Sequence, residues 1–163
     1  YPRTYLSVGS LSPETLTDDA VKAAIRAQKA IVSRGAWLEV SVDGQKAMGH
    51  TEPVTPGPDG QVALHVRAMV PPWLSLHTVE LYANGLLVSE HQATAPDAGG
   101  TLWFDETIPW SPEGDAWVVV VTRGPTEASP VFNGFTYAFT NPIYVDVDGG
   151  GFQAPGPVQL PAP

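Results

Sequence analysis

The chain has 163 residues, a formal net charge of −9 at pH 7, 16 glycines and 17 prolines. This length suits one domain with a sizeable hydrophobic core. Only 8 Lys and Arg stand against 17 Asp and Glu, so we expect no nucleic-acid partner. No apolar run approaches the ~20 residues that span a bilayer, so we expect no membrane span. The absence of cysteine excludes disulfides, thiolate zinc sites and cysteine nucleophiles.

One segment near the start of the chain has helical periodicity. Within residues 18–30, Val21, Ala24 and Ile25 follow the i, i+3, i+4 spacing of one helix face. Thr17 suits the N-cap position, where a side-chain oxygen accepts a backbone N–H bond. The pattern predicts a helix with a narrow, alanine-rich apolar stripe, which suits packing against a broader surface.

From residue 36 onward the periodicity changes to two, which is typical of strands with one buried face. Asp43-Gly44 and Asn84-Gly85 predict two-residue hairpin turns, because a type I′ turn needs positive φ at both positions and these residue types tolerate it. The apolar run that begins at residue 116 predicts a central strand. The predicted strands are residues 37–42, 62–70, 78–83, 86–90, 101–108, 116–122, 135–140 and 143–145.

Many short strands with one helix predict a mainly β fold, an immunoglobulin-like antiparallel β-sandwich with one N-terminal α-helix. The predicted organisation has three parts. Residues 1–35 are an N-terminal segment and helix, residues 36–148 are the sandwich, and residues 149–163 are a Gly/Pro-rich tail. The compartment stays open, although an acidic, lysine-poor composition favours an extracytoplasmic or secreted bacterial location.

Two carboxylates near the end of the last strand are the candidate metal ligands. Asp146-Val147-Asp148-Gly149 resembles the first half of a calcium loop, but the later glutamate of such a loop is missing. Alternatively, Asp146 and Asp148 accept backbone N–H bonds where the chain leaves the strand. The four histidines form none of the spaced pairs of zinc sites, so we expect ordinary surface histidines. They are His50, His65, His77 and His91.

We expect no catalytic and no cofactor-binding residue in this chain. It contains no Gly-x-Ser-x-Gly nucleophile turn and no glycine-rich loop followed by a helix and a lysine. The aromatic residues leave carbohydrate binding open, because Trp73 and Trp110 follow prolines in predicted loops where exposed rings can stack on sugars. Trp37, Trp103 and Trp117 lie within predicted strands, and we expect them in the core.

Several motifs occur in a fixed order along nearly the whole chain. They include Arg3-Thr4-Tyr5, residues 24–35, Val70-Pro71-Pro72-Trp73, residues 79–85, residues 115–120 and Thr140-Asn141-Pro142-Ile143-Tyr144. Together they resemble the C-terminal region of the CehA/McbA-type metallohydrolases, of the polymerase-and-histidinol-phosphatase (PHP) group. The motif residues are Arg3, Thr4, Tyr5, Gly35, Trp73, Asn84, Gly85, Trp117, Thr140, Asn141 and Pro142.

The resemblance implies that the chemistry lies elsewhere. In that family a divalent metal (Zn, Mn or Fe) is held in an α/β barrel by His-x-His and Asp-x-His motifs, and neither motif occurs in these residues. We therefore expect the C-terminal part of a longer polypeptide, a non-catalytic accessory domain that supports the catalytic barrel of the same polypeptide. Residues 1–35 then connect barrel and sandwich.

Docking to a barrel predicts an apolar patch around Tyr1, Tyr5, Val21 and Ile25 that is larger than a monomer normally exposes. An alternative from a different class also stays open. It is an independent carbohydrate-binding or adhesion module with the same β-sandwich fold.

Overall fold

The computed structural model describes residues 1–9, 12–42, 45–46, 52–127, 131 and 134–156. Eleven strands and one α-helix occur among these residues. In chain order they are β1 (Arg3–Leu6), a 3₁₀ turn (Pro13–Thr15), α1 (Asp18–Arg26), β2 (Ala30–Arg34), β3 (Trp37–Val42), β4 (Gln45–Lys46), β5 (Val62–Met69), β6 (Thr78–Ala83), β7 (Leu86–Gln92), β8 (Leu102–Trp110), β9 (Ala116–Arg123), β10 (Tyr137–Thr140) and β11 (Ile143–Val145).

The strands form two antiparallel sheets. The first sheet has the order β1-β2-β10-β9-β6-β7, and β11 pairs with β9 beyond the end of β10. The second sheet has the order β4-β3-β5-β8. The fold is therefore mainly β with antiparallel sheets and one helix, which confirms the sequence prediction at this level.

The two sheets contribute to one hydrophobic core. Strand β5 shows why, because its buried residues alternate with half-buried ones along its whole length. Leu38 and Val66 of the second sheet and Leu81 and Val118 of the first are all fully buried in the same cluster. The period-two pattern of the sequence therefore marks the residues that fill the space between the sheets.

Strand β9 lies inside the first sheet, as its apolar sequence predicts. It pairs with β6 on one side and with β10 and β11 on the other. Val118 and Val120 face the core and are fully buried, whereas Val119 and Val121 on the opposite face are half-buried. The strand is apolar at successive positions because its outer face is also partly covered.

The N-terminal segment differs from its prediction in two ways. The predicted helix spans residues 18–30, but α1 ends at Arg26, because Gln28 adopts a positive φ of 55° that breaks the helix. The following residues form β2, and β1 pairs with it in the first sheet. The N-cap is as predicted, since Thr17 Oγ1 accepts the backbone N–H bond of Ala20 at 3.2 Å.

The hairpin at Asn84-Gly85 is confirmed. The two residues have φ angles of 52° and 85°, as a type I′ turn requires. A bulge between Leu81 and Tyr82 then shifts the register of β6 against β7 by one residue. Strands β3 and β4 also pair, but Asp43-Gly44 between them lies outside the described residues.

The shared core predicts the response to truncation. We expect Leu38→Ala to lower the free energy of unfolding by about 2–5 kcal/mol, because a fully buried side chain leaves a cavity between the sheets. Leu87→Ala is the matched control, since Leu87 is half exposed on β7, and we expect a change within about 0.5 kcal/mol. Urea unfolding measures both, and equal losses would contradict the assigned core.

Candidate functional site

Three carboxylates meet at one end of the first sheet. Asp115 precedes β9, whereas Asp146 and Asp148 follow β11, and Val145 of β11 lies opposite Ala116 of β9. This antiparallel register brings the start of one strand to the end of the other. One carboxylate oxygen from each residue lies within 4.8 Å of one from each of the other two. We call Asp115, Asp146 and Asp148 the acidic cluster.

The acidic cluster is tied to its own loop by backbone N–H groups. Asp146 Oδ1 accepts a bond from Gly149 N and Oδ2 accepts one from Gly151 N, both at 2.8 Å. Asp148 Oδ1 accepts a bond from Gly150 N at 2.7 Å. Gly149 and Gly151 have φ angles of 71° and 102°, a conformation that favours glycine. The glycine run therefore lets the chain turn around Asp146, which is buried.

Asp115 holds the same loop from the opposite strand. Its Oδ2 accepts the N–H bond of Gln153 at 2.6 Å, and its Oδ1 accepts that of Val147 at 2.9 Å. These two bonds, from Gln153 and Val147, hold the pKa of Asp115 below its ordinary value because they favour the ionised form. The carboxylate therefore stays charged to a lower pH than an aspartate without these two bonds.

The acidic cluster has the donor chemistry of a hard-cation site. Ca²⁺ prefers carboxylate and carbonyl oxygens, and an oxygen that accepts one N–H bond keeps a second lone pair. The sequence left two roles open for Asp146 and Asp148. They accept backbone N–H bonds, as the first of these roles requires. Metal binding, the second role, stays a prediction. Asp115 is the member that the sequence did not reveal, because no local motif links it to residues near the end of the chain.

A second polar cluster lies on the outer face of the first sheet. The Glu80 side chain is buried, and both of its oxygens accept a bond from Arg123 Nε at 3.0 Å. Tyr82 Oη donates to Glu80 Oε2 at 2.9 Å, and Thr78 Oγ1 donates to Oε1 at 3.0 Å. Burial by itself raises the pKa of Glu80, but these hydrogen bonds outweigh it and hold the pKa below 4.5, its ordinary value.

The histidines do not come together. His65 lies on β5 beside Asp105, and His91 lies on β7 with its ring 6.1 Å from that of Phe104. His77 precedes β6 and is exposed, and His50 lies outside the described residues. Among the described part of the chain, the acidic cluster is the only group of three side chains with metal-ligating spacing.

Three predictions about tryptophans were wrong. Trp37 is 41% exposed at the start of β3 and not in the core. Trp110 is half-buried in the last position of β8 and not in a loop. Trp73 is 61% exposed, as its loop context predicts. Trp103 is partly buried against the core, as predicted, whereas Trp117 is half-buried on the outer face of β9 and not in the core.

Several motif residues make contacts that hold the fold. Asn84 Oδ1 accepts the N–H bond of Trp117 at 3.0 Å, which ties the hairpin turn to β9. Thr140 Oγ1 accepts the N–H bond of Val120 at 3.1 Å. Asn141 Nδ2 donates to the carbonyl of Gln28 at 2.8 Å, so it joins the turn after α1 to the β10–β11 junction.

The remaining motif residues lie on the edge strand β1 of the first sheet or at loop positions. Arg3, Thr4 and Tyr5 belong to β1. Gly35 connects β2 to β3 with a φ of 94°, and Pro142 separates β10 from β11. With Trp73 in its loop, these residues are spread over the fold, so the motif does not assemble into one pocket.

Comparison with protein-family models, curated proteins and solved structures found no match to this chain. The family resemblance therefore stays an expectation drawn from the motifs. None of the helices in the described ranges has the length and apolar character needed to cross a membrane.

The Glu80 cluster predicts a pH-dependent stability. We expect Glu80→Gln to lower the free energy of unfolding at pH 7 by about 1–3 kcal/mol, since charge-assisted bonds are lost. A lowered pKa in the folded state adds stability above pH 4.5, and this gain disappears as the pH falls further. The difference between wild type and variant should therefore narrow in urea unfolding below pH 4.5.

The matched control for that measurement is Glu90→Gln. Glu90 lies directly opposite Glu80 on β7 but is exposed, so we expect a change within about 0.5 kcal/mol at every pH. A Glu80 difference that stays constant with pH would contradict the assigned ionisation.

The hydrogen bonds of the acidic cluster predict that substitutions of Asp146 and Asp148 change the free energy of unfolding by unequal amounts. We expect Asp146→Ala to lower the free energy of unfolding by about 1–3 kcal/mol, because two N–H groups of the glycine turn lose their acceptor. Asp148→Ala should change it less, since Asp148 is exposed and accepts one local bond. Thermal unfolding of both variants measures this order, and the reverse order would show that the turn does not depend on Asp146.

Proposed function

We propose that this chain is a non-catalytic accessory domain of a metal-dependent hydrolase of the PHP group. It packs against the catalytic barrel of the same polypeptide. The divalent metal of such an enzyme (Zn, Mn or Fe) is then held by the barrel, and this domain stabilises the barrel or shapes its substrate entrance. The motif order supports the family, and one feature of the structure supports the docking.

That feature is a set of exposed apolar side chains in the first 26 residues, on β1, on α1 and on the segments next to them. Leu16 is 53% exposed and Ile25 is 57% exposed, and Tyr1 and Tyr5 are exposed as well. We call Tyr1, Tyr5, Leu16 and Ile25 the N-terminal apolar surface. It includes three of the four residues around which the sequence predicts a patch, and Val21, the fourth, is half-buried.

The rest of the chain covers little of the apolar side of helix α1. Ala24 is the only buried residue of α1, although the helix is amphipathic and follows an ordered cap. Contiguous exposed apolar patches mark interaction surfaces in soluble proteins. Full burial of one such side chain is worth about 1.5–3 kcal/mol, so a few of them make a docked arrangement favourable.

We further propose that the two sheets form an immunoglobulin-like sandwich. The chain crosses between the sheets several times, from β2 to β3, from β5 to β6, from β7 to β8 and from β8 to β9. Such crossings are typical of Greek-key sandwiches, in which both sheets contribute alternating residues to one core. The shared core supports this arrangement.

The test of docking compares one substitution in two settings. In the chain of 163 residues alone, we expect Ile25→Lys to change the free energy of unfolding by no more than about 0.5 kcal/mol, because Ile25 is exposed. In the barrel-containing polypeptide, the same lysine is forced into an apolar interface. There we expect a loss of about 2–4 kcal/mol, measured by thermal unfolding and by the hydrolase activity that survives heating.

Leu87→Lys is the matched control, because Leu87 is comparably exposed but lies on β7 at the opposite edge of the first sheet. It should have little effect in either setting. If Ile25→Lys is as neutral in the longer polypeptide as in the chain alone, the N-terminal apolar surface is not the contact and the proposal fails.

A further inference from the structure

We infer that the solvent-facing side of the second sheet carries a binding site for short neutral oligosaccharides. The site consists of Trp37, Glu39, His65, Arg67 and Asp105, which we call the sheet-face network. It does not depend on the accessory role proposed above, and it uses neither Trp73 nor Trp110, the two tryptophans that the sequence favoured for sugar binding.

The register of three strands places the network on one face. Glu39 of β3 lies opposite Arg67 of β5, which lies opposite Asp105 of β8. On β3 and β5, the residues immediately before and after Glu39 and Arg67 are buried in the core. Because side chains alternate between the two faces of a sheet, these three point toward solvent. Trp37 and His65 occupy the neighbouring positions on the same face.

Hydrogen bonds join the five side chains into one chain of contacts. Trp37 Nε1 donates to Glu39 Oε1 at 3.1 Å, and Arg67 Nη1 donates to Glu39 Oε2 at 3.1 Å. On its other side, Arg67 Nε donates to Asp105 Oδ2 at 3.3 Å. His65 Nε2 lies 2.7 Å from Asp105 Oδ1. The guanidinium is thus held between two carboxylates, with an aromatic ring at one end.

The network is ordered by these contacts but stays accessible. The side chains of Glu39, His65, Arg67 and Asp105 are between 39% and 45% exposed. Exposed ion pairs add little to stability, so a network across three strands gains little for folding. It does present fixed hydrogen-bond donors and acceptors to a ligand, which lowers the entropic cost of binding.

An apolar groove adjoins the polar row. Trp37 and Met69, which lie opposite each other in register, line a groove of about 310 Å³ together with Val70 and Pro71. The Tyr5 ring meets the Trp37 ring edge to face, with centroids 5.5 Å apart, and so helps to fix the indole. Aromatic and apolar surface beside a few fixed polar groups is the usual composition of a small-ligand site.

A pyranose ring matches this division. Its C–H face packs on an aromatic ring, while the hydroxyl groups at its rim both donate to carboxylates and accept from a guanidinium. Glu39 and Asp105 outnumber the one guanidinium between them, and the whole chain carries a charge of −9. These charges oppose an anionic ligand. The three strands span about 10 Å, so the ligand is a short neutral oligosaccharide.

The test uses the ¹⁵N-labelled chain of 163 residues and four neutral probes, cellohexaose, mannohexaose, xylohexaose and chitohexaose, with an oligogalacturonate as the anionic probe. Calorimetric titration gives the affinities, and the indole N–H resonance of Trp37 reports contact at the network. We expect at least one neutral probe to bind, to shift this resonance and to bind equally at low and high salt. We expect no binding of the anionic probe.

Variants locate the site. Trp37→Ala and Asp105→Asn should each weaken binding about tenfold or more, because a stacking ring or a hydroxyl acceptor is lost. Trp73→Ala is the control for an exposed indole, and Glu106→Gln is the control for an exposed carboxylate next to Asp105. Both should bind as the wild type does. Urea unfolding confirms folding, and if Trp37→Ala fails to fold, Glu39→Gln replaces it.

Three results would overturn the inference. They are the absence of binding by every neutral probe, unchanged affinity in the network variants, and binding of the anionic probe alone. The outcome is separable from that of the docking experiment, because Ile25→Lys and Leu87→Lys alter no member of the sheet-face network.

Discussion

The antiparallel pairing of β9 with strands on both sides is the constraint on which the rest of the structure depends. Its inward side chains are buried in the core, so its register is fixed by burial. At the start of the strand, this register sets Asp115 beside the loop after β11. At its end, it sets Arg123 within hydrogen-bond distance of Glu80. Both polar clusters of the first sheet therefore follow from one apolar strand.

Local pattern was enough to predict much of the fold. Alternation predicted β5, and Asn84-Gly85 predicted the β6–β7 hairpin, because both signals depend on neighbours in the sequence. Local pattern did not reveal β2, because its two buried residues are Ile31 and the polar Ser33. Trp37 shows a different failure. Its hydrophobicity favoured the core, although the alternation of β3 with Leu38 inward already placed it on the outer face.

The candidate sites were harder to predict for a physical reason. Asp146 and Asp148 are close in sequence, so a motif could identify them, but Asp115 joins them only through the pairing of β9 and β11. The sheet-face network depends even more on register, because its charged residues come from three strands and contact each other at one level of the sheet. No local pattern contains such information, since a one-residue slip would turn these side chains into the core.

The two proposed surfaces place opposite demands on whatever lies next to them. The N-terminal apolar surface gains free energy only when another apolar surface covers it. The sheet-face network would lose free energy under such a cover, because its carboxylates and guanidinium would exchange water for unmatched contacts. Tyr5 belongs to the first surface and touches Trp37 of the second. A barrel that covers the helix and β1 must therefore end near this ring pair, which would leave the adjoining face of the second sheet open to a saccharide.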